Sequence, residues 1–198
     1  MTRSNYPALA TRQISKAGCF VSRSPSPASV RVDSPALQVM TDLSRIPPAT
    51  IVANASIHDA NHTMMCRGVR LLFVTDDSRR ITGIITATDI LGERPMQTAQ
   101  QRGLRIEELR VADIMTPAAH LDAIDLSMVT RAEVGHVVAT LKACARQHAI
   151  VVDRNAEGEE IVVGVFSSTQ IARQLGVTLH GGEKARTFAE LEAAIAGS

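Results

Sequence analysis

The sequence predicts an α/β (α+β) chain made of two pseudo-symmetric β-α-β-β-α units packed through their sheets. Three observations predict this. A stretch of about 50 to 60 residues occurs twice in the same order. Each copy contains two apolar runs joined by a polar turn. Each copy also carries, ahead of those runs, apolar residues at helical spacing.

The repeat sets the register. Ile57 aligns with Val134 and Asp76 with Asp153, a constant offset of 77 residues. Within it Met64 falls on Leu141, and Leu72-Phe73-Val74-Thr75-Asp76 falls on Ala149-Ile150-Val151-Val152-Asp153. After a longer turn in the second copy, Gly83-Ile84-Ile85-Thr86 meets Gly164-Val165-Phe166-Ser167, and Ile90 meets Ile171. Upstream, Val39-Met40-Thr41 answers Ile114-Met115-Thr116.

Each copy opens on a short β-rich run, Thr50-Ile51-Val52 and later Met128-Val129. A helix follows. In the first copy Ser56 caps a face of Ile57, Ala60 and Met64. In the second, Thr130 and Glu133 have capping-box spacing ahead of Val134, Val137, Val138, Leu141 and Ala145. The hairpins run from Leu71 to Thr86 and from Ala149 to Ser167, and a closing helix starts near Thr86 or Ser167. One such unit has an apolar sheet face that it cannot cover alone, so packing the two copies together buries both faces. The expected organisation is a basic, Ser/Pro-containing tail over 1–36, unit 1 over 37–93 and a polar, partly helical linker over 94–110. Unit 2 spans 111–176, and a C-terminal loop and short helix span 177–198.

Composition narrows the function. Apolar residues make up 45% of the chain and charged residues 21%, ordinary for a globular protein. A net charge of +1 marks no general nucleic-acid binder, and one Tyr, four Phe and no Trp give little base-stacking surface. Three cysteines, Cys19, Cys66 and Cys144, form no CxxC pair and fit a reducing, cytoplasmic setting. Cys66 and Cys144 lie near equivalent helix ends and are expected to pack as small apolar residues. No apolar run reaches the ~20 residues of a membrane span. The first 32 residues are basic and free of acid, as a transit peptide is, but lack an amphipathic stripe, so a flexible tail or loosely packed strand is expected.

The paired Met-Thr motifs (Val39-Met40-Thr41 and Asp113-Ile114-Met115-Thr116), the Gly68-Val69 turn into a strand, and Gly83-Ile84-Ile85-Thr86-Ala87-Thr88-Asp89-Ile90-Leu91 resemble a tandem CBS-domain pair, or Bateman module, over roughly 37–175. That resemblance implies a non-catalytic, regulatory homodimer. It would sense an adenosine-containing ligand (AMP, ADP, ATP or S-adenosylmethionine), hold no tightly bound cofactor, and act in trans on an effector protein that the sequence does not identify. It also implies that Thr86 and Asp89 grip the ribose and phosphate, with Thr88 beside them and Arg70 supplying positive charge.

A carboxylate accepts hydrogen bonds from both ribose hydroxyls, and a Thr hydroxyl with the N–H groups of a helix start suits a phosphate. The same spacing is also an ordinary capping box. In the second copy Ser167 begins the equivalent motif, but Gln170 stands where the Asp would be. An amide is a weaker acceptor than a carboxylate, so a second site that is weak, empty or differently specific is expected. His148 replaces Leu71 of the first copy. A ligand-independent dimerising scaffold is the alternative function.

No metal or catalytic site is expected. His58 and His62 are four residues apart, but two ligands do not make a site, and no HExxH pattern is present. GxSxG, GxGxxG and P-loop motifs are absent. Thr187 and Glu190 have capping-box spacing for a C-terminal helix with Phe188, Leu191 and Ile195 on one face.

Overall fold

The computed structural model describes residues 9–13, 20 and 29–177. In chain order the elements are β1 (Thr41–Asp42), β2 (Thr50–Val52), α1 (Ile57–Arg67), β3 (Leu71–Thr75), β4 (Ile81–Thr86), α2 (Ala87–Leu91), α3 (Arg94–Arg102) and α4 (Val111–Ile114). The second half follows with β5 (Thr116–Pro117), β6 (Ala123–Asp125), α5 (Leu126–Val129), α6 (Val134–Ala143), β7 (His148–Arg154), β8 (Glu160–Ser167) and α7 (Ser168–Gln174). The linker is helical over α3, which ends on Gly103 in the left-handed conformation that glycine adopts without strain. The C-terminal helix expected from Thr187 lies outside the described residues.

Two four-stranded sheets result, in the orders β2-β3-β4-β5 and β1-β8-β7-β6. In each, a parallel pair is bridged by a crossover helix: α1 joins β2 to β3, and α6 joins β6 to β7. Antiparallel hairpins then add β4 and β8. The strand leading into each unit does not stay with it. β1 pairs with β8, Thr41 opposite Val165, while β5 pairs with β4, Thr116 opposite Ile84. Each unit therefore closes the other's sheet.

The hairpin strands are buried on both faces, which explains their nearly unbroken apolar runs. Leu71, Phe73 and Ile84 of one sheet meet Ile150, Val152 and Val165 of the other in a core between the sheets. Residues of opposite parity point to the helices. Leu72, Val74 and Ile85 pack with Ile57, Ala60 and Met64 of α1 and with Val111 and Ile114 of α4. Val151 and Phe166 pack with Val137, Val138 and Leu141 of α6 and with Ile171 of α7.

The second unit departs from its sequence reading at its start. The strand is Ala123–Asp125, and Met128-Val129 belongs to the helical turn α5. Thr130 ends that turn rather than capping α6. The N-cap of α6 is Glu133, whose backbone N–H donates to Nδ1 of His136 (3.2 Å). The cause is tertiary. The Ala36 N–H donates to the Ala132 carbonyl (2.9 Å), and Pro35 bridges Glu133, so 132–133 are held extended and the helix begins one turn late. This docking also ties down the end of the segment read as a tail. The Val30 N–H donates to the Gln174 carbonyl (3.1 Å), and Val30, Ala36 and Val39 are buried against α6 and α7.

Ser56 caps α1 as expected from its spacing, accepting from the Asp59 N–H (3.0 Å). Its hydroxyl donates to the Asp59 carboxylate (2.7 Å), and that bond is the main reason the carboxyl lies below its usual range. Cys66 and Cys144 do sit at equivalent helix ends, but both are exposed rather than packed.

Candidate functional site

Thr86 ends β4, where the strand turns into α2. Its hydroxyl accepts from the Asp89 N–H (3.3 Å) and donates to Oδ2 of Asp89 (2.6 Å), which also accepts the Thr86 N–H (2.9 Å). The capping box read from the sequence is therefore formed. Oδ1 of Asp89 faces away from the box and accepts from Nη1 of Arg94 (3.0 Å), at the start of α3. The second arm of Arg94, Nη2, donates to the Met115 carbonyl (3.2 Å), just before β5.

Unit 2 supplies the opposite wall. The hydroxyl of Thr88 donates to Oε1 of Gln147 (3.1 Å), and Gln147, His148 and Arg146 stand at the start of β7. Arg146 is held by the His120 carbonyl (3.0 Å) and by the Asp122 carboxylate (3.3 Å). With Ile84 at its base and Thr116 on β5, these groups enclose a cleft of about 270 Å³ between the units. That is close to the lower end of ligand pockets, ~300–1,000 Å³.

Of the residues singled out in the sequence, Thr86, Thr88 and Asp89 line this cleft. Arg70 does not. It is exposed, and its carbonyl accepts the Ala87 N–H (2.9 Å), as the Gln147 carbonyl accepts the Ser168 N–H (2.9 Å). The two positions are repeat mates, so the residue facing the first motif comes from the other unit. The cations at the cleft are Arg94 and Arg146. Neither belongs to the local motif, and the repeat alignment of Arg70 with Gln147 is the signal that leads to the second wall.

Ser167 begins α7, outside this cleft, and makes no side-chain capping bond. Gln170 does not reach back to it. Its Oε1 accepts from the Thr41 hydroxyl of β1 instead (3.2 Å). Thr41 and Gln170 are the repeat mates of Thr116 and Asp89. In the second motif the amide that replaces the carboxylate is thus occupied by the exchanged strand.

A larger cavity, about 530 Å³, lies elsewhere. It is an apolar groove of Ile124, Met128, Val129, Ala132, Val137 and Ala139, edged by Arg131, His136 and Thr140. Among the described residues no group of three or more His, Cys, Asp or Glu is placed to hold a metal, and His62 instead lies 3.6 Å from Sγ of Cys66. No helix of the described residues is long and apolar enough to cross a membrane.

The CBS-domain family model matches residues 36–95. That stretch, the first unit, is similar to a CBS domain. CBS domains are regulatory rather than catalytic modules, and they bind nucleotides or S-adenosylmethionine. An uncharacterized conserved protein from Pyrococcus horikoshii shares the fold with a TM-score of 0.53 at 20% identity, over 77% of this chain and 100% of its own. A CBS-domain-containing protein from Agrobacterium tumefaciens aligns at 0.51 and 15% identity, over 77% of this chain and 98% of its own. A protein solved in complex with AMP aligns at 0.49 and 20% identity, over 71% and 94%. No curated protein sequence matches the chain. A shared fold spanning more than three quarters of the chain extends over both units.

Proposed function

We propose that this protein is a cytoplasmic, non-catalytic homodimer that senses an adenosine-containing ligand and signals in trans to an effector protein. The ligand, AMP, ADP, ATP or S-adenosylmethionine, would lie in the cleft between the units. The observation that carries the reading is the position of the Thr86-x-x-Asp89 motif. It does not merely begin a helix, because its outer carboxylate oxygen meets Arg94 of the linker and the neighbouring Thr88 meets Gln147 of the second unit, both at an open cleft that Arg146 and His148 also line. A ligand there touches both units at once, so binding is coupled to how they sit together.

The test is thermal unfolding with AMP, ADP, ATP and S-adenosylmethionine. Ligand at ~100 times its Kd adds about 2.7 kcal/mol. For a chain of this size that raises Tm by roughly 5–10 °C. Asp89→Ala is expected to abolish the shift. The variant also loses a capping interaction of about 1 kcal/mol, so each protein is compared with its own ligand-free melt. A full shift retained in Asp89→Ala would rule the carboxylate out.

The apolar groove favours a second reading, the ligand-independent dimerising scaffold. Met128 on its rim is 63% exposed. Met128→Lys is expected to drive a dimer toward monomer in sedimentation equilibrium. A folded dimer that shows no melting shift with any nucleotide would favour this reading over the sensor. An unchanged dimer in Met128→Lys would exclude the groove as its interface.

A further inference from the structure

Resting on the reading of the cleft as a nucleotide site, we propose that it selects a phosphate-bearing ligand over a neutral or sulfonium-bearing adenosine compound, because Arg94 must leave Asp89 for the phosphate before Asp89 can hold the ribose.

The argument starts from the carboxylate. Oδ2 of Asp89 is spent on the N–H and hydroxyl of Thr86, and Oδ1 is occupied by Arg94 at 3.0 Å. A ribose diol that is to donate to this carboxylate needs Oδ1. Something must therefore draw the guanidinium away, and an anion does so at least cost. Arg94 stays charged and exchanges a carboxylate for a phosphate, which its planar fork fits equally well. Its side chain is 44% exposed, and its other arm rests on the Met115 carbonyl, so it can turn without unfolding α3.

The charge of the cleft points the same way. Its lining holds two guanidinium groups, Arg94 and Arg146, against one carboxylate. Arg146 is only loosely engaged by Asp122, whose side chain is 79% exposed and solvated. A phosphate between the two guanidinium groups meets charge-assisted donors. S-adenosylmethionine puts a sulfonium at the 5′ position where AMP carries its phosphate, and its carboxylate is outweighed by the sulfonium and ammonium, so its net positive charge is disfavoured beside two guanidinium groups. Adenosine has no group to exchange for Asp89, so Arg94 stays where it is.

Titration calorimetry on the full chain with AMP, adenosine and S-adenosylmethionine tests this. Wild type is expected to bind AMP most tightly. Arg94→Gln is expected to weaken AMP by about tenfold to a hundredfold, the loss of a charged hydrogen bond. It should simultaneously strengthen adenosine, because Oδ1 is released, so the AMP preference collapses from both sides. Arg146→Gln weakens AMP without strengthening adenosine, and melting curves verify that both variants are folded. S-adenosylmethionine binding as tightly as AMP, or Arg94→Gln weakening AMP and adenosine equally, overturns the selectivity and leaves the nucleotide site standing. A folded wild type that binds none of the three overturns the nucleotide reading itself.

Discussion

Phe166→Ala is expected to destabilise the protein by about 3–5 kcal/mol, the cost of truncating a buried phenylalanine that leaves a cavity. Phe166 is fully buried on β8, and its cluster draws on Val151 of β7, Val137, Val138 and Leu141 of α6 and Ile171 of α7. Val30, Ala36 and Val39, from ahead of the first unit, complete the same cluster. Because β1 also pairs with β8, the second unit cannot loosen without releasing the lead-in to the first. The loss should therefore appear as one cooperative transition at lower denaturant, with Tm down by roughly 6–20 °C, rather than as separate melting of two halves. Total stabilities run at about 5–15 kcal/mol, so this single change removes a large share. Urea unfolding followed by circular dichroism measures it, with Leu91→Ala as the control. Leu91 is 69% exposed and should change stability by less than about 0.5 kcal/mol. A Phe166→Ala loss below 1 kcal/mol would mean that this core is not packed as described.

What the sequence made legible was whatever is coded locally and stated twice. The α1 and α6 faces, the two hairpins and the Ser56 and Thr86 caps each rest on residues within one turn or one strand of each other. The offset of 77 fixed their equivalence. Three-residue β6 was missed because Ala-Ile-Asp carries little strand preference and its parallel partner β7 lies across a helix. Thr130 misled for a related reason. Its spacing to Glu133 is right for a cap, but the docking of 35–36 on 132–133 outweighs a local interaction of about 1 kcal/mol. The cleft followed the same division. Thr86 and Asp89 are local to one helix start and Arg94 follows them across the short turn into α3, whereas Thr116 and Gln147 join them only because β5 crosses to the first sheet and β7 begins across from α2.

That crossing gives the repeated glycines their meaning and yields the second large expected effect. Gly83 and Gly164 are repeat mates, and each lies against an exchanged lead strand or the residue before it. A Cβ on Gly83 would stand 2.5 Å from the Thr116 carbonyl oxygen and 3.3 Å from Cα of Pro117, both backbone atoms of β5. A Cβ on Gly164 would meet Sδ, Cγ and Cε of Met40, all atoms of a flexible side chain that can swing aside. Gly83→Ala can be accommodated only by prising β5 from β4, where Gly83 pairs with Pro117 and Ile84 with Thr116. Its cost is expected at about 3 kcal/mol, the upper part of the overpacking range, against about 1 kcal/mol for Gly164→Ala. The same displacement carries Thr116 out of the cleft and shifts Met115, whose carbonyl holds Arg94. Gly83→Ala should therefore also weaken nucleotide binding, whereas Gly164→Ala, in the other sheet, should weaken it far less. Equal costs for the two substitutions, measured by urea unfolding, would mean that β5 yields as easily as a methionine side chain, and the strand exchange would then not be what holds the cleft in shape.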